Sequence, residues 1–352
     1  MAVQERTTER FVEQVVTDLA ASHGGVMVSI GHTLGLYRAL AGRGPVSSLE
    51  LAARTATEER YVREWLNSQV AGGYLDYHEE SETYELPAEH VPVLADESSP
   101  IFMPPAFEVS ASMWIDRERT VEAFRTGDGV PWGDHDEGLY CGVSTFYGNA
   151  YRASLVPEWL PALDGVVEKL ERGALVADVG CGHGHSTVLM ATAFERSRFV
   201  GFDTHASSID EARENAAAAG VAGRVEFEQA DASSYPGAGY DLVCFFDALH
   251  DLGDPVGAAR RAYEALADDG TLMVVEPYAA DAVLDNVGPV GRLYYAGSTA
   301  LCLPHSRSEG VGLGLGAQAG PARLSAVLRE AGFETVRTAY ESPFNLVLEA
   351  RR

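Results

Sequence analysis

Val176-Ala177-Asp178-Val179-Gly180-Cys181-Gly182-His183-Gly184 is the stretch on which the reading of this 352-residue chain turns. An apolar run ends in an acid, three glycines alternate with other residues, and a helix-forming run over residues 186–194 follows. This is the pattern of a strand, a tight glycine turn and a helix whose first N–H groups face a ligand. It belongs to a series. Residues 198–203, 225–231 and 240–247 are three more short apolar runs, each closing on a carboxylate: Asp203, Asp231 and Asp247. The series predicts an α/β fold built on an open sheet, with the ligand at the edge formed by the strands' C-terminal ends.

The charges at that edge narrow the ligand. A dinucleotide site uses G-x-G-x-x-G and a helix N-terminus facing a pyrophosphate. Here the turn is G-x-G-x-G, and the Asp178 carboxylate beside it would repel a pyrophosphate but suit an ammonium group. Asp203 is placed to accept hydrogen bonds from both hydroxyls of a ribose, and Asp231 from the exocyclic amine of an adenine. An amino-acid head, a ribose and an adenine together describe S-adenosylmethionine.

From about residue 174 onward the chain resembles the class I S-adenosylmethionine-dependent methyltransferases. Residues 178–184 match that family's glycine motif, Asp203 its ribose-binding acid, Asp231 the residue near the adenine, and Phe246-Asp247-Ala248-Leu249-His250-Asp251 the segment after the fourth strand. The resemblance implies a Rossmann-like sheet and a cofactor site made by Asp178, Gly180, Cys181, Gly182, Gly184, Asp203, Thr204, Asp231, Ala232, Phe246 and Asp247. The whole chain is similar to actinobacterial, O-methyltransferase-like enzymes with an N-terminal winged-helix domain. In winged-helix O-methyltransferases the segment L-H-D-W-x-D carries the general base. Leu249-His250-Asp251-Leu252-Gly253-Asp254 resembles it, with Leu252 in place of tryptophan, which makes His250 the candidate base.

The N-terminal part reads as a different unit. Residues 10–40 carry helical patterning that the Gly24-Gly25 pair is expected to break. Two more helices follow, one capped by Ser47 or Ser48 and one ending at Gly72-Gly73, and then a hairpin over residues 74–86. This is the order of a winged helix-turn-helix. Residues 1–100 hold seven arginines and no lysine against sixteen acids, a net charge of −9, whereas a phosphate-binding face needs a positive stripe. The charge disfavours DNA binding, and the resemblance implies instead a dimerisation and lid domain over residues 1–100. Residues 101–165 are expected to form a helical linker, with one helix over 106–124, and residues 166–352 the cofactor domain. Phe146, Tyr147, Tyr151, Trp159 and Met113 are candidates for interdomain core or for the wall of a substrate chamber.

Other features restrict function. A net charge of −26 argues against nucleic acid and anionic membranes. No apolar run spans a bilayer, and residues 1–6 show no targeting core, so a cytoplasmic protein is expected. The four cysteines, at 141, 181, 244 and 302, are far apart and show no C-x-x-C spacing. His183, His185 and His205 read as loop residues near the cofactor, so no metal is expected. Residues 277–320, rich in glycine, read as an irregular insertion that could serve as a lid or, alternatively, as extra helices that cover the sheet. The expected function is methyl transfer to a small-molecule acceptor, with a hydroxyl acceptor losing its proton to neutral His250 and activity falling below about pH 6.5. The alternatives are a cofactor-binding protein with other or no chemistry, and a cofactor-sensing DNA-binding regulator. The expected assembly is a homodimer through the N-terminal domain.

Overall fold

The computed structural model describes residues 7–352, so the expectation about a targeting core lies outside the described residues. The chain divides into two compact units. One contains the residues up to Ser112 with Gly138–Asn149, and the other Met113–Glu137 with Ala150–Arg352. Residues 101–165, expected as a linker, are thus shared between the two units.

The first unit opens with α1 (Thr8–Thr33), α2 (Leu36–Leu40), α3 (Ser48–Thr55) and α4 (Glu59–Ala71). A short hairpin, β1 (Asp76–His78) and β2 (Thr83–Glu85), forms the wing, and Val46 adds a bridge to Tyr84. The sequence expects a break at Gly24-Gly25, but α1 runs through it and ends where Gly35 turns left-handed at φ +67°. Gly25 has a packing role instead: a Cβ there would lie 2.9 Å from the Phe107 ring. Ser47 caps α3 in a capping box, its hydroxyl accepting from the Glu50 N–H while the Glu50 carboxylate accepts from the Ser47 N–H. Val28, Leu36, Tyr37, Leu51, Trp65, Leu66 and Leu75 make the core of this unit. Helices α5 (Val91–Leu94) and α6 (Pro104–Ile115) follow.

The sequence reads 106–124 as one helix; the structure has two, α6 and α7 (Arg117–Thr126). They part at Asp116, a carboxylate only 3% exposed that accepts from His135 Nδ1 (2.9 Å), the Asp136 N–H (2.9 Å) and Arg119 (2.6 Å). Partners 19 and 20 residues downstream fix the chain there. Helix α8 (Glu137–Ser154) and α9 (Val166–Arg172) lead into the sheet.

The sheet has seven strands: β3 (Leu175–Val179), β4 (Arg198–Asp203), β5 (Val225–Gln229), β6 (Tyr240–Phe246), β7 (Leu266–Pro277), β8 (Thr335–Glu341) and β9 (Asn345–Arg351). Their order is β5-β4-β3-β6-β7-β9-β8, parallel except for β9, which pairs antiparallel with both β7 and β8. Helices α10 (His185–Ala193), α11 (Ala206–Ala218), α12 (Pro255–Ala265) and α15 (Gly320–Glu330) connect them. Ala177, Val179, Phe202, Val243, Phe245, Leu272, Val274 and Leu348 fill the core, each large apolar side chain worth about 1.5–3 kcal/mol on burial. From β3 the chain proceeds outward through β4 and β5, then returns to pair β6 on the other side of β3. That reversal opens a crevice at the C-terminal ends of β3 and β6, where ligands of such sheets bind. Of the two readings of the insertion over 277–320, the helical one describes its middle: α13 (Pro289–Gly297), a π-turn at Ser298–Cys302, and α14 (Leu303–Ser308). Among the described residues no helix is long and apolar enough to cross a membrane.

Candidate active site

The glycine motif forms the loop between β3 and α10. Gly180, Gly182 and Gly184 all have left-handed backbone, with φ between +50° and +77°. The N–H groups of Gly180 and Cys181 donate to Phe202 O at 2.8 and 3.0 Å, which fastens the loop to the end of β4. A Cβ on Gly184 would collide with Phe227 at 2.6 Å, whereas one on Gly182 would meet nothing within 4 Å. The loop is therefore tight underneath and open over Gly182, as a cradle for a ligand must be. Cys181 is buried, and its side chain lies close to Gly201 of β4.

Asp178 is fully buried. Its Oδ2 accepts from the Ser186 and Thr187 hydroxyls at 2.6 and 2.5 Å, which anchors the first turn of α10. Burial pushes the carboxyl up to about 6 against the lowering effect of those hydroxyls, so it is mainly ionised at pH 7. Asp203 accepts from the Gly182 and His205 N–H groups, both at 2.9 Å, one on each oxygen. Each oxygen keeps a second lone pair for a hydroxyl donor. The Thr204 carbonyl accepts from the Gln229 side-chain amide at 2.8 Å and keeps a second lone pair. Asp231 is exposed just beyond β5 and turns back to cap Ser233, with Ala232 half-buried beside it.

At the end of β6, Phe246 is buried against the Tyr151 ring, with centroids 5.5 Å apart. The Tyr151 hydroxyl donates to Asp247 Oδ2 at 2.8 Å. Asp247 itself has a left-handed backbone, φ +49°, a strained conformation for a residue with a Cβ. Burial, with repulsion from Glu276, pushes its carboxyl up to about 8. Trp159, also packed on Tyr151, is only 1% exposed and belongs to the core.

His250 is 4% exposed, and its Nδ1 is hydrogen-bonded to the Glu276 carboxylate. Its Nε2 lies 3.3 Å from Cys302 Sγ. Burial acts to lower the imidazole pKa, but the Glu276 charge and the Cys302 contact outweigh it and hold it well above the ordinary 6.5. The sequence reading missed Glu276 as the orienting carboxylate. Its signal was present: Glu276 closes the apolar run of β7 just as Asp178, Asp203 and Asp247 close or follow theirs. Cys302, on the inserted helical run, had no such signal.

The residues fit S-adenosylmethionine on one further observation. Asp178 Oδ1, Asp247 Oδ1 and Glu276 Oε1 are buried and have no hydrogen-bond partner. The Asp178 and Glu276 oxygens suit a ligand bearing positive charge and repel a pyrophosphate, while Asp247, protonated up to about pH 8, adds a neutral polar group between them. Among the described residues no group of three or more His, Cys, Asp or Glu side chains is arranged to hold a metal ion.

The His250–Glu276 pair yields a measurable consequence. Glu276→Gln keeps the shape and removes the charge, which leaves burial as the dominant influence on the imidazole. Its pKa, followed by NMR titration of the ring resonances, should fall from well above 6.5 to near or below that value; an unchanged titration would show that Glu276 does not hold the proton.

Residues 22–96 match the family model of the Rv2258c-like winged HTH domain, and residues 170–306 that of a methyltransferase domain. A trans-aconitate 2-methyltransferase of Paracidovorax citrulli (strain AAC00-1) is 36% identical over 111 residues, covering 31% of this chain and 40% of the relative. A 27-O-demethylrifamycin SV methyltransferase of Amycolatopsis mediterranei (strain S699) is 32% identical over 131 residues, covering 35% and 48%. The chain thus spans less than half the length of these curated relatives. In fold it is similar, from end to end, to human N-acetylserotonin methyltransferase solved in complex with SAM, with a TM-score of 0.73, 18% identity and coverage of 100% and 99%. The chain thus joins a winged helix-turn-helix domain, over residues 22–96, to a methyltransferase domain, over residues 170–306.

Proposed function

We propose that this protein transfers a methyl group to a hydroxyl of a small, uncharged acceptor, with His250 as general base and Glu276 as its positioning residue. The observation that carries this reading is the buried Glu276–His250 pair at the strand ends, which orients Nε2 away from Glu276. When bound, the cofactor's sulfonium supplies a methyl that is already activated. The chain's work is then alignment, exclusion of water and removal of one proton. Glu276 accepts from Nδ1–H, which fixes the tautomer and leaves the Nε2 lone pair for the hydroxyl proton. Cys302 Sγ, 3.3 Å from Nε2, marks the position the acceptor oxygen must approach. Asp247 and Asp251, pushed up to about 8 and about 7 by burial, and Glu276, paired with His250, bring no positive charge to this region, so a polyanion such as the aconitate in one relative's name is a poor acceptor for this chain.

The N-terminal domain is read as the contact between two copies of the chain. Along α1 Phe11, Val12, Val15, Val16, Leu19, Val26 and Ile30 are exposed, with Phe11 at 64% and Val16 at 59%. Most of them fall three or four residues apart, on one stripe. A second copy with the same stripe would cover it. DNA is disfavoured: Arg60 and Arg63 of α4 are already paired with Glu64 and Glu59.

Methyl transfer from labelled cofactor to a panel of neutral phenols and alcohols tests the reaction. His250→Ala should lower turnover by roughly 10²–10⁴ with cofactor affinity and thermal midpoint kept. Full turnover in the variant would remove His250 as base, and joint loss of affinity and stability would make its role structural. The pH profile carries the sign. The base works only when neutral, and Glu276 favours the charged form, so activity should rise with pH through a midpoint above 6.5, higher than the sequence alone implies. An inflection at or below 6.5 contradicts the pairing. For the assembly, Val16→Glu should convert a dimer to a monomer in sedimentation velocity; a monomeric wild-type protein would rule out the α1 contact.

A further inference from the structure

A second pair of buried imidazoles lies beside the His250 pair. The loop after α7 is zipped onto α14: the Val130 N–H donates to Pro304 O at 2.9 Å, and a Cβ on Gly129 would lie 2.0 Å from the Ser308 nitrogen. Helix α14 and the segment after it are in turn tied to the turn after β6. Ser306 Oγ donates to Leu252 O at 2.8 Å, and the Leu313 and Gly316 N–H groups donate to Gly253 O and His250 O, both at 2.9 Å. The loop, α14 and the His250 turn are therefore joined by backbone hydrogen bonds.

Within this assembly the Trp132 ring lies edge-on to two histidines, 5.9 Å from His135 and 5.8 Å from His305. The His135 side chain is 0% exposed and its Nδ1 is hydrogen-bonded to Asp116 at 2.9 Å, so Nε2 is the ring nitrogen turned away from that carboxylate. That Nε2 is buried with no partner, and so is His305 Nδ1. His305 Nε2 is 3.7 Å from Glu309. Burial first, then His135 and His250, pull His305 down to about 4, so it is neutral at physiological pH. Two buried ring nitrogens with no hydrogen-bond partner are costly to leave so. A hydroxyl, which both donates and accepts, satisfies either nitrogen whichever way its proton lies.

We propose that His135 and His305, flanking Trp132, form a subsite for a second hydroxyl of the acceptor, which is therefore an uncharged aromatic compound with at least two hydroxyl groups. This rests on the reading that His250 takes the proton of the first. The separation fits. Cys302, in contact with His250, and His305 are three residues apart on one helical run, about 5–6 Å between Cβ atoms, which one aromatic ring spans. The alternative filling of the two nitrogens is a buried water.

Binding separates these possibilities without depending on turnover. The protein loaded with S-adenosylhomocysteine is titrated with phenol and with catechol, resorcinol and hydroquinone, followed by NMR. At least one dihydroxybenzene should bind about tenfold more tightly than phenol, the effect of hydrogen bonds made to buried, otherwise unpartnered nitrogens. His135→Phe and His305→Phe should each abolish that advantage while phenol binding, cofactor affinity and thermal midpoint stay the same. Because the Asp116–His135 pair is buried, His135→Phe alone could unsettle the fold; His305→Phe keeps the test decisive. Equal binding of phenol and all three diols, an advantage that survives both substitutions, or tighter binding of salicylate overturns the subsite. A preference for the second hydroxyl without methylation of any of these compounds upholds the subsite and counts against His250 as base. Methylation without the preference does the reverse.

Discussion

Carboxylates withdrawn from water at the C-terminal edge of the sheet are the constraint from which this site is built. Removing an ionised carboxylate from water costs several kcal/mol unless partners replace the water. The Asp178 carboxylate is met by two hydroxyls from the first turn of α10, which thereby fixes where that helix begins. Asp203 is met by backbone N–H groups from the glycine loop and from its own turn, so the loop and the acid position each other. Asp247 receives the Tyr151 hydroxyl and retains its proton to about pH 8. Glu276 receives the His250 imidazole. Each compensation is partial. The unpartnered oxygens that remain lie where the reading places a cationic ligand.

The sheet and the acids at its C-terminal edge were legible in the sequence because they are local. An apolar run four to seven residues long that ends in an acid is a strand end, and G-x-G-x-G is a turn that only glycine makes cheaply. The same rule, applied once more to residues 271–276, would have identified Glu276. The break expected at Gly24-Gly25 and the single helix expected over 106–124 failed for one reason: partners distant in sequence decided. Phe107 needs the space beside Gly25, and His135 draws on Asp116. Helical propensity cannot register a packing partner 82 residues away or a hydrogen bond 19 residues downstream.

The acceptor side was illegible for the same physical reason. Cys302 and His305 sit in a glycine-rich stretch whose helices are stabilised mainly by bonds to the His250 turn and to the loop at 128–136. A six-residue helix has little stability of its own. Its position is set by Ser306, Gly129 and Pro304, none of which carries a motif. What surrounds His250 is thus tertiary information, whereas His250 itself stands in a segment that the sequence marks.

The central claim is that the edge formed by Asp178, the glycine loop and Asp203 binds S-adenosylmethionine and rejects a dinucleotide. Calorimetric titration with S-adenosylhomocysteine and with NAD, on the wild-type protein and on Asp203→Ala, tests it most directly. The account predicts one-to-one binding of S-adenosylhomocysteine, no measurable heat with NAD, and a loss of roughly 1–3 kcal/mol of binding free energy in the variant. Comparable heats with NAD, or an Asp203→Ala protein that binds as tightly as wild type, would contradict it.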